Sequence, residues 1–132
     1  MKKTIILIAL FSFIACGKAK MSMLSDRAES FNENIRWSSL KAAASYMSNT
    51  NKQTLMDQYG KELQKNQMVE YSILDIAMDE SQKVGTVLVE FSFYDNSTLN
   101  QGYRQELQTW NFDAKAKNWV VKESRPIAKS QN

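Results

Sequence analysis

The chain has 132 residues, 17 of them basic and 14 acidic, with a single Cys, a single Pro and no His. That length fits one domain of common size. The lack of imidazole removes the side chain best matched to proton transfer near neutral pH, and a lone thiol excludes an internal disulfide or a thiolate metal cage.

The first residues are Lys2 and Lys3, followed by an apolar run from Thr4 to Ala15 that ends in Phe13-Ile14-Ala15-Cys16-Gly17. A cationic start holds one end at the cytoplasmic membrane face while the apolar stretch enters the bilayer. The run is roughly a dozen residues, short of the ~20 that a spanning helix needs. Ile14, Ala15 and Cys16 resemble the cleavage box of the bacterial lipoprotein signal, in which a small residue precedes the Cys that carries the lipid. Phe13 stands where an aliphatic residue is usual. The resemblance implies a signal peptide over residues 1–15 and a covalent lipid on Cys16, a diacylglyceryl thioether joined by an amide-linked chain on the new N-terminus. Each buried methylene contributes ~0.8 kcal/mol, and two chains already anchor stably. It also implies residence in the bacterial cell envelope. Gly17 rather than Asp follows the Cys, which points to the outer membrane, facing the periplasm, in a Gram-negative source. The competing readings are an ordinary secretory peptide in which Cys16 is incidental and an uncleaved anchor helix.

Cleavage before Cys16 removes Lys2 and Lys3, so 17 less 2 leaves 15 basic against 14 acidic residues and a net charge of +1. That balance gives no support to nucleic-acid binding, which would show as a basic face or stripe. Residues 16–25 read as the lipidated Cys and a short tether. Lys18 and Lys20 lie there, either touching anionic headgroups or simply solvated. A single α+β domain is expected over 26–126 and a disordered tail over 127–132.

Leu24, Ala28, Phe31 and Ile35 recur at helical spacing and lay one apolar stripe along a helix. The phase then slips, because Trp37, Leu40, Ala44 and Met47 make a new stripe for which Ser38 or Ser39 is the cap. Thr50-Asn51-Lys52-Gln53 has the capping-box form, with Thr50 and Gln53 satisfying each other's backbone N–H groups. A helix from Asn51 to Gln64 follows, burying Leu55, Met56, Tyr59 and Leu63. Gly60 weakens it by ~1 kcal/mol relative to Ala. Apolar stripes at this spacing are read as core faces.

From Met68 the period changes to alternation. Val69, Tyr71 and Ile73 share one face, whereas Leu74, Ile76 and Met78 take the other parity. The switch predicts a bulge or a strand buried on both sides. After a polar turn at Asp79 to Lys83, Val87, Val89, Phe91 and Phe93 alternate with Leu88, Glu90, Ser92 and Tyr94. Asp95 to Gly102 is longer than a tight hairpin turn. A third strand, Tyr103 to Phe112, sets Tyr103, Gln105, Leu107 and Thr109 against Arg104, Glu106, Gln108, Trp110 and Phe112. Asp113 to Asn118 turns the chain into a fourth strand, Trp119 to Ser124. Regular structure is expected to stop at Pro126, which has no N–H to donate.

Helices followed by a run of strands give an α+β fold, with N-terminal helices packed on a curved, mainly antiparallel four-stranded sheet. The segment Trp37 to Met47 behind the first helix, and a terminal hairpin joining Trp110 and Phe112 to Trp119-Val120-Val121, resemble the nuclear transport factor 2-like (NTF2-like) cone. The chain as a whole is similar to small bacterial envelope lipoproteins. The resemblance implies a fold and leaves the activity open, since such cones serve isomerases, dehydratases, cyclases and binding or assembly modules.

Tyr71, Glu90, Arg104 and Glu106 are the candidate pocket residues. Facing a cavity, Glu90 would be a base and Arg104 an anion anchor. Facing solvent, Glu90, Arg104 and Glu106 would form a cross-strand charge pair contributing only ~0.2 to 1 kcal/mol. There is no Gly-rich phosphate loop, nucleophile elbow or zinc-protease motif. Asp75, Asp79 and Glu80 lack calcium-loop spacing, and Asn96-Ser97-Thr98 matches a glycosylation sequon that is uninformative in a bacterial protein. The sequence therefore points to a lipid-anchored, non-enzymatic envelope protein acting as a binding or scaffold module in the periplasm or at the cell surface. It implies no cofactor beyond the lipid on Cys16 and the membrane as first partner. An envelope protein, or a second copy docked through the open sheet face, is the further partner expected. The rival reading is an NTF2-like small-molecule-binding protein or acid/base enzyme, of isomerase or dehydratase type, using Glu90 and Arg104 in an apolar cavity.

Overall fold

The alternating half of the chain folds into four antiparallel strands in the order β1-β2-β3-β4, namely β1 Asn66–Met78, β2 Val84–Asp95, β3 Gln101–Asp113 and β4 Asn118–Ile127. They are preceded by α1 Lys2–Arg36, α2 Leu40–Ala44 and α3 Lys52–Lys65. This computed structural model describes the backbone of residues 2–127 and the side chains of residues 17–127. The leader expected over 1–15, the side chain of Cys16 and the tail from residue 128 lie outside those described side chains.

The sheet curves because extra residues are inserted in its outer strands. Register shifts fall between Met68 and Glu70, and again between Ile73 and Asp75. The inserted residues are Val69 and Leu74, both exposed. Two residues opposing one bend the strand and reset its parity, so Tyr71, Ile73, Ile76 and Met78 all pair with inward residues of β2. The bulge expected at Ile73 and Leu74 is present. The one at Val69 is an addition, and Met68 rather than Val69 faces the core. A third shift, opposite Thr109 and Trp110, makes Lys122 the extra residue of β4. It turns Ser124 inward after Trp119 and Val121.

Helix α1 lies across the concave face. Leu24, Ala28, Phe31 and Ile35 are all fully buried, and each large side chain among them contributes on the order of 1.5–3 kcal/mol. Near its described start, Trp119 Nε1 of β4 donates to Lys20 O at 3.0 Å and Arg27 Nε donates to Trp119 O at 3.0 Å. Midway, Asn32 meets Gln108 of β3. At its end Arg36 Nε donates to Val69 O of β1 at 2.8 Å. Phe31 packs edge-on against Trp110, Tyr59 and Tyr46, with ring centroids 5.6, 5.7 and 6.4 Å away. In α3, Leu55 and Tyr59 are fully buried while Met56 and Leu63 are half-buried against the same core.

Four local expectations are corrected. Residues 17–25 are helical and docked, with Leu24 fully buried, so this segment is not a loose tether. Sequence composition suggested a linker, but the stripe begun at Leu24 extends the helix upstream. Trp37 stays 66% exposed, held on the surface by its Nε1 bond to Glu33 at 2.7 Å and the Arg36 guanidinium 5.0 Å from its ring. The capping box is not formed, since α3 starts at Lys52 without a side-chain cap and Thr50 pairs with Ser48 at 3.0 Å instead. The Asn51 amide is likewise diverted, to Lys122 O at 2.8 Å. Finally, β4 continues through Pro126 to Ile127. It is an edge strand, where a missing N–H is tolerated.

Two glycines make opposite predictions. In α3 a Cβ at Gly60 would meet Leu40 Cδ2 at 3.7 Å, an ordinary contact. Gly60→Ala should therefore stabilise the domain by about 0.5–1 kcal/mol. At Gly85 of β2 a Cβ would overlap Leu24 Cδ2 and meet Trp119 Cζ3 at 3.4 Å, so α1 approaches the sheet closely only because that side chain is missing. Gly85→Ala should cost about 1–3 kcal/mol. Thermal melts of both variants check the pair, and equal shifts of the same sign would contradict it.

Candidate functional site

The interior of the cone is occupied by a chain of polar side chains from β3, tied to α1, α3 and β4. Alternation along β3 turns Arg104, Glu106, Gln108 and Trp110 toward the helices, where Glu106 is 2% exposed and Gln108 and Trp110 are fully buried. Glu106 Oε2 accepts from Tyr59 Oη and from Ser124 Oγ, both at 3.0 Å. Its Oε1 accepts from Arg104 Nε at 3.0 Å. Arg104 Nη2 lies 2.9 Å from the same oxygen as an ion pair, without hydrogen-bond alignment. Arg104 Nη1 also pairs with Glu62 of α3. Farther in, Gln108 Nε2 donates to Asn32 Oδ1 at 2.8 Å and Asn32 Nδ2 returns to Gln108 Oε1 at 3.2 Å. Asn32 Nδ2 also reaches Ala28 O at 2.9 Å, and Trp110 Nε1 reaches Gln108 Oε1 at 3.4 Å.

This arrangement limits the chemistry. Both oxygens of Glu106 are engaged, by bonds that hold α3 and β4 to β3. Burial, then the adjacent Glu106 charge, pushes the Tyr59 phenol well above its usual pKa, which keeps it a donor. Gln58 Nε2 adds a bond to Ser124 O at 2.8 Å, so α3 is fastened to β4 beside the same carboxylate.

The four candidate pocket residues are not brought together. Arg104 and Glu106 share the inward face, but Glu90 pairs across the ladder with Gln105 and lies on the outward face. There Gln105 Nε2 donates to Glu90 Oε2 at 3.1 Å. The base and anion anchor that the rival reading needs in one cavity are therefore on opposite sides of the sheet. Adjacent strands place Glu90 opposite Gln105 rather than Arg104, and a one-residue offset reverses every face. Tyr71 is inward but sits under α1, where its Oη donates to Glu29 Oε2 at 2.7 Å. Burial, then this bond, raises its pKa as well.

Tyr59, Glu62, Asn32, Gln108 and Ser124 complete the interior network; the sequence places Tyr59 on a buried helix face and Gln108 and Ser124 in strands but assigns none of the five to a site. Two signals were available. Glu106 and Gln108 occupy the parity of Trp110, so the core face of β3 carries polar groups that need partners. Asn32 follows Ala28 by four residues on the buried side of α1.

Two open grooves are polar. One, about 170 Å³, runs over β1 to β3 beside Glu70, Tyr71, Ser72, Glu90, Ser92 and Gln101, so that of the four candidates Tyr71 and Glu90 share a groove that Arg104 and Glu106 do not line. The other, about 350 Å³, lies between the α2–α3 connection and the β3–β4 turn, lined by Ser48, Thr50, Lys52 and Asp113 among others. Among the described residues there is no cluster of three or more acidic, Cys or His side chains suited to a metal ion.

Removing the carboxylate should unravel the centre of the network. Glu106→Ala leaves Arg104 and Tyr59 buried without it and should cost about 3–5 kcal/mol, read from the denaturant midpoint. The Tyr59 phenol titrates higher folded than unfolded, where it ionises near pH ~10. Its contribution is thus complete below that pH and lost as pH rises toward the folded value, because there only the unfolded chain gives up the proton. Midpoints measured across the alkaline range should fall, and Tyr59→Phe should flatten that fall. An unchanged slope in the variant would show that Tyr59 does not contribute.

No protein-family model matches the chain, and no curated protein matches it. Solved structures do. A ketosteroid isomerase-like protein from Erwinia carotovora atroseptica superposes with a TM-score of 0.66 at 12% identity, over 83% of this chain and 97% of that one. A SEC-C motif-containing protein from Rhodopseudomonas palustris gives 0.59 at 10% identity, over 74% of this chain and 73% of its own. A putative Ca/calmodulin-dependent kinase II association domain from Exiguobacterium sibiricum gives 0.50 at 14% identity, over 83% and 91%. At these identities the likeness is one of architecture, and together with helices lying over an open four-stranded antiparallel sheet it identifies the fold of this chain as NTF2-like.

Proposed function

We propose that the protein is a lipid-anchored bacterial envelope lipoprotein whose NTF2-like domain serves as a binding or scaffold module and carries out no reaction. The observation that carries the reading is Ile14-Ala15-Cys16-Gly17 at the end of a cationic and then apolar leader, followed directly by a domain docked from residue 17 onward. Among the described residues no helix is long and apolar enough to cross a membrane. The lipid on Cys16 supplies the attachment, and two acyl chains hold it stably.

The interior favours the non-enzymatic branch. Polar groups that would face a substrate in an open cone are spent on one another, with Glu106 held by Tyr59, Ser124 and Arg104. An acid/base site built from Glu90 and Arg104 would need two residues on opposite faces. The outward face is mixed, with Ser72, Thr86, Gln105 and Thr109 around a central Leu88–Leu107 pair and with Tyr94 and Tyr103 exposed toward one end. A protein of the envelope is the partner class this reading implies. In a Gram-negative source, Gly17 after the lipidated Cys favours the outer membrane, facing the periplasm.

Metabolic labelling tests the anchor. Labelled palmitate should enter the wild-type protein, and Cys16→Ala should abolish both the label and membrane retention. Label retained by the variant, or a wild-type chain recovered intact from Met1 in the cytosol, would overturn the proposal.

A further inference from the structure

The first described residues of α1 lie at one end of the sheet. A Cβ at Gly17 would sit 3.0 Å from Gln82 Nε2, in the β1–β2 turn. Lys20 Nζ donates to Gln82 O at 3.4 Å and lies 4.4 Å from the centre of the Phe112 ring. Phe112 N donates to Lys83 O at 2.8 Å, which sets the β1–β2 turn beside the end of β3 and the β3–β4 turn that follows it. Two hairpin tips and the start of the docked helix therefore form one surface, and Cys16 is the residue immediately upstream.

That surface is cationic. It carries Lys18, Lys20, Lys83, Lys115 and Lys117 against Asp79, Glu80 and Asp113, and all of these except the half-buried Lys20 are exposed. Asp79 and Asp113 are turned back onto their own loops. Asp79 Oδ1 accepts from Lys83 N and Val84 N at 3.1 Å, and Asp113 Oδ1 accepts from Lys115 N at 2.9 Å and Ala116 N at 3.3 Å. Five basic less three acidic groups leave +2 at this end, more than the +1 of the whole chain after the leader is removed. At the other end Asp95 of β2 is offset by Lys65 of α3, whose carbonyl accepts from Asn96 N at 2.8 Å, and residues 96–100 of the β2–β3 connection carry no charge. The charge asymmetry thus runs along the sheet, with its positive end beside the lipid attachment.

We propose that this end is a membrane-docking face, on which the β1–β2 and β3–β4 turns lie against the headgroups of an anionic bilayer and Lys18, Lys83, Lys115 and Lys117 contact lipid phosphates. The inference rests on the lipoprotein reading, and it deepens it by fixing the orientation of the domain. A loose tether would let the domain tumble, but α1 is docked from residue 17, so its lysines stay within the ~10 Å over which surface charge acts. Each Lys near such a surface shifts the docked-to-lifted ratio by about fivefold. The helix rises 1.5 Å per residue, which carries Trp37 roughly 30 Å outward from the lipid.

The full-length lipidated protein, reconstituted in vesicles of mixed phosphatidylglycerol and phosphatidylcholine, provides the test. The lipid consumes the thiol of Cys16, so Ala116→Cys and Ser97→Cys each introduce a single free thiol for a fluorophore, one per end. Nitroxide-headgroup lipid should quench the label at 116 and leave the label at 97 unquenched. Pure phosphatidylcholine vesicles, or Lys83→Gln, Lys115→Gln and Lys117→Gln combined, should weaken docking roughly a hundredfold and bring the quenching at 116 down to that at 97. Equal quenching at the two positions, or quenching indifferent to both lipid charge and the lysine substitutions, would overturn the docking face. Mass spectrometry of the same sample separates the two levels. An acylated Cys16 with equal labels defeats only the docking face, whereas an unmodified Cys16 defeats the lipoprotein reading and the docking face with it.

Discussion

Phe31 and its neighbours on α1 set the constraint on which the rest of the molecule depends. Leu24, Ala28, Phe31 and Ile35 are fully buried against the concave face, and Phe31 touches aromatic rings from α3, β3 and the segment after α2. Edge-to-face pairs of this kind contribute about 0.5–1.5 kcal/mol each beyond the area they bury. The contact also requires shape: Leu24 fits because position 85 has no side chain, and the bulges at Val69 and Leu74 bend β1 until Tyr71 can reach Glu29. Curvature, closure and helix position are consequences of one stripe meeting one bent sheet.

Beneath that stripe, the polar network does a different job. A buried ion pair is weak as a source of net stability, since desolvating both charges offsets most of their attraction. Its value here is positional. Glu106 collects bonds from α3 through Tyr59, from β4 through Ser124 and from its own strand through Arg104, so three elements are fixed by one carboxylate. Ser124 reaches it only because Lys122 is the inserted residue of β4. An apolar core of equal volume would hold the layers together without specifying that register.

The docked start of α1 couples this interior to the outer end of the domain. Trp119 is fully buried, pairs with Phe112 at a centroid distance of 5.4 Å and donates to Lys20 O. Arg27, stacked 4.3 Å from the Tyr46 ring centroid, closes the same region from the next turn of the helix. The start of α1 is therefore tied to the core at Lys20, through the packed rings of Trp119 and Phe112.

How much of this could be read from the sequence depends on whether the information was local. Helical spacing identified the buried residues of α1 and α3, and alternation identified the inward residues of β2 and β3, because a periodic stripe needs no knowledge of its partner. The bulge at Leu74 was legible for the same reason, as a change of parity within one strand. Caps and ends were not: Thr50 and Asn51 found partners in Ser48 and Lys122 that no local motif encodes, and Pro126 was tolerated because β4 has a free edge. The candidate pocket failed on register. Glu90 lies between Val89 and Phe91, both inward, and Arg104 lies between outward Tyr103 and Gln105. Their parities alone place them apart, since inward residues of β2 pair with inward residues of β3. Grouping them required a cavity to override alternation, and the packing of Phe31, Tyr59 and Trp110 shows that this interior was claimed by aromatic rings, leaving the charged pair that did enter, Arg104 and Glu106, to be neutralised by its own neighbours.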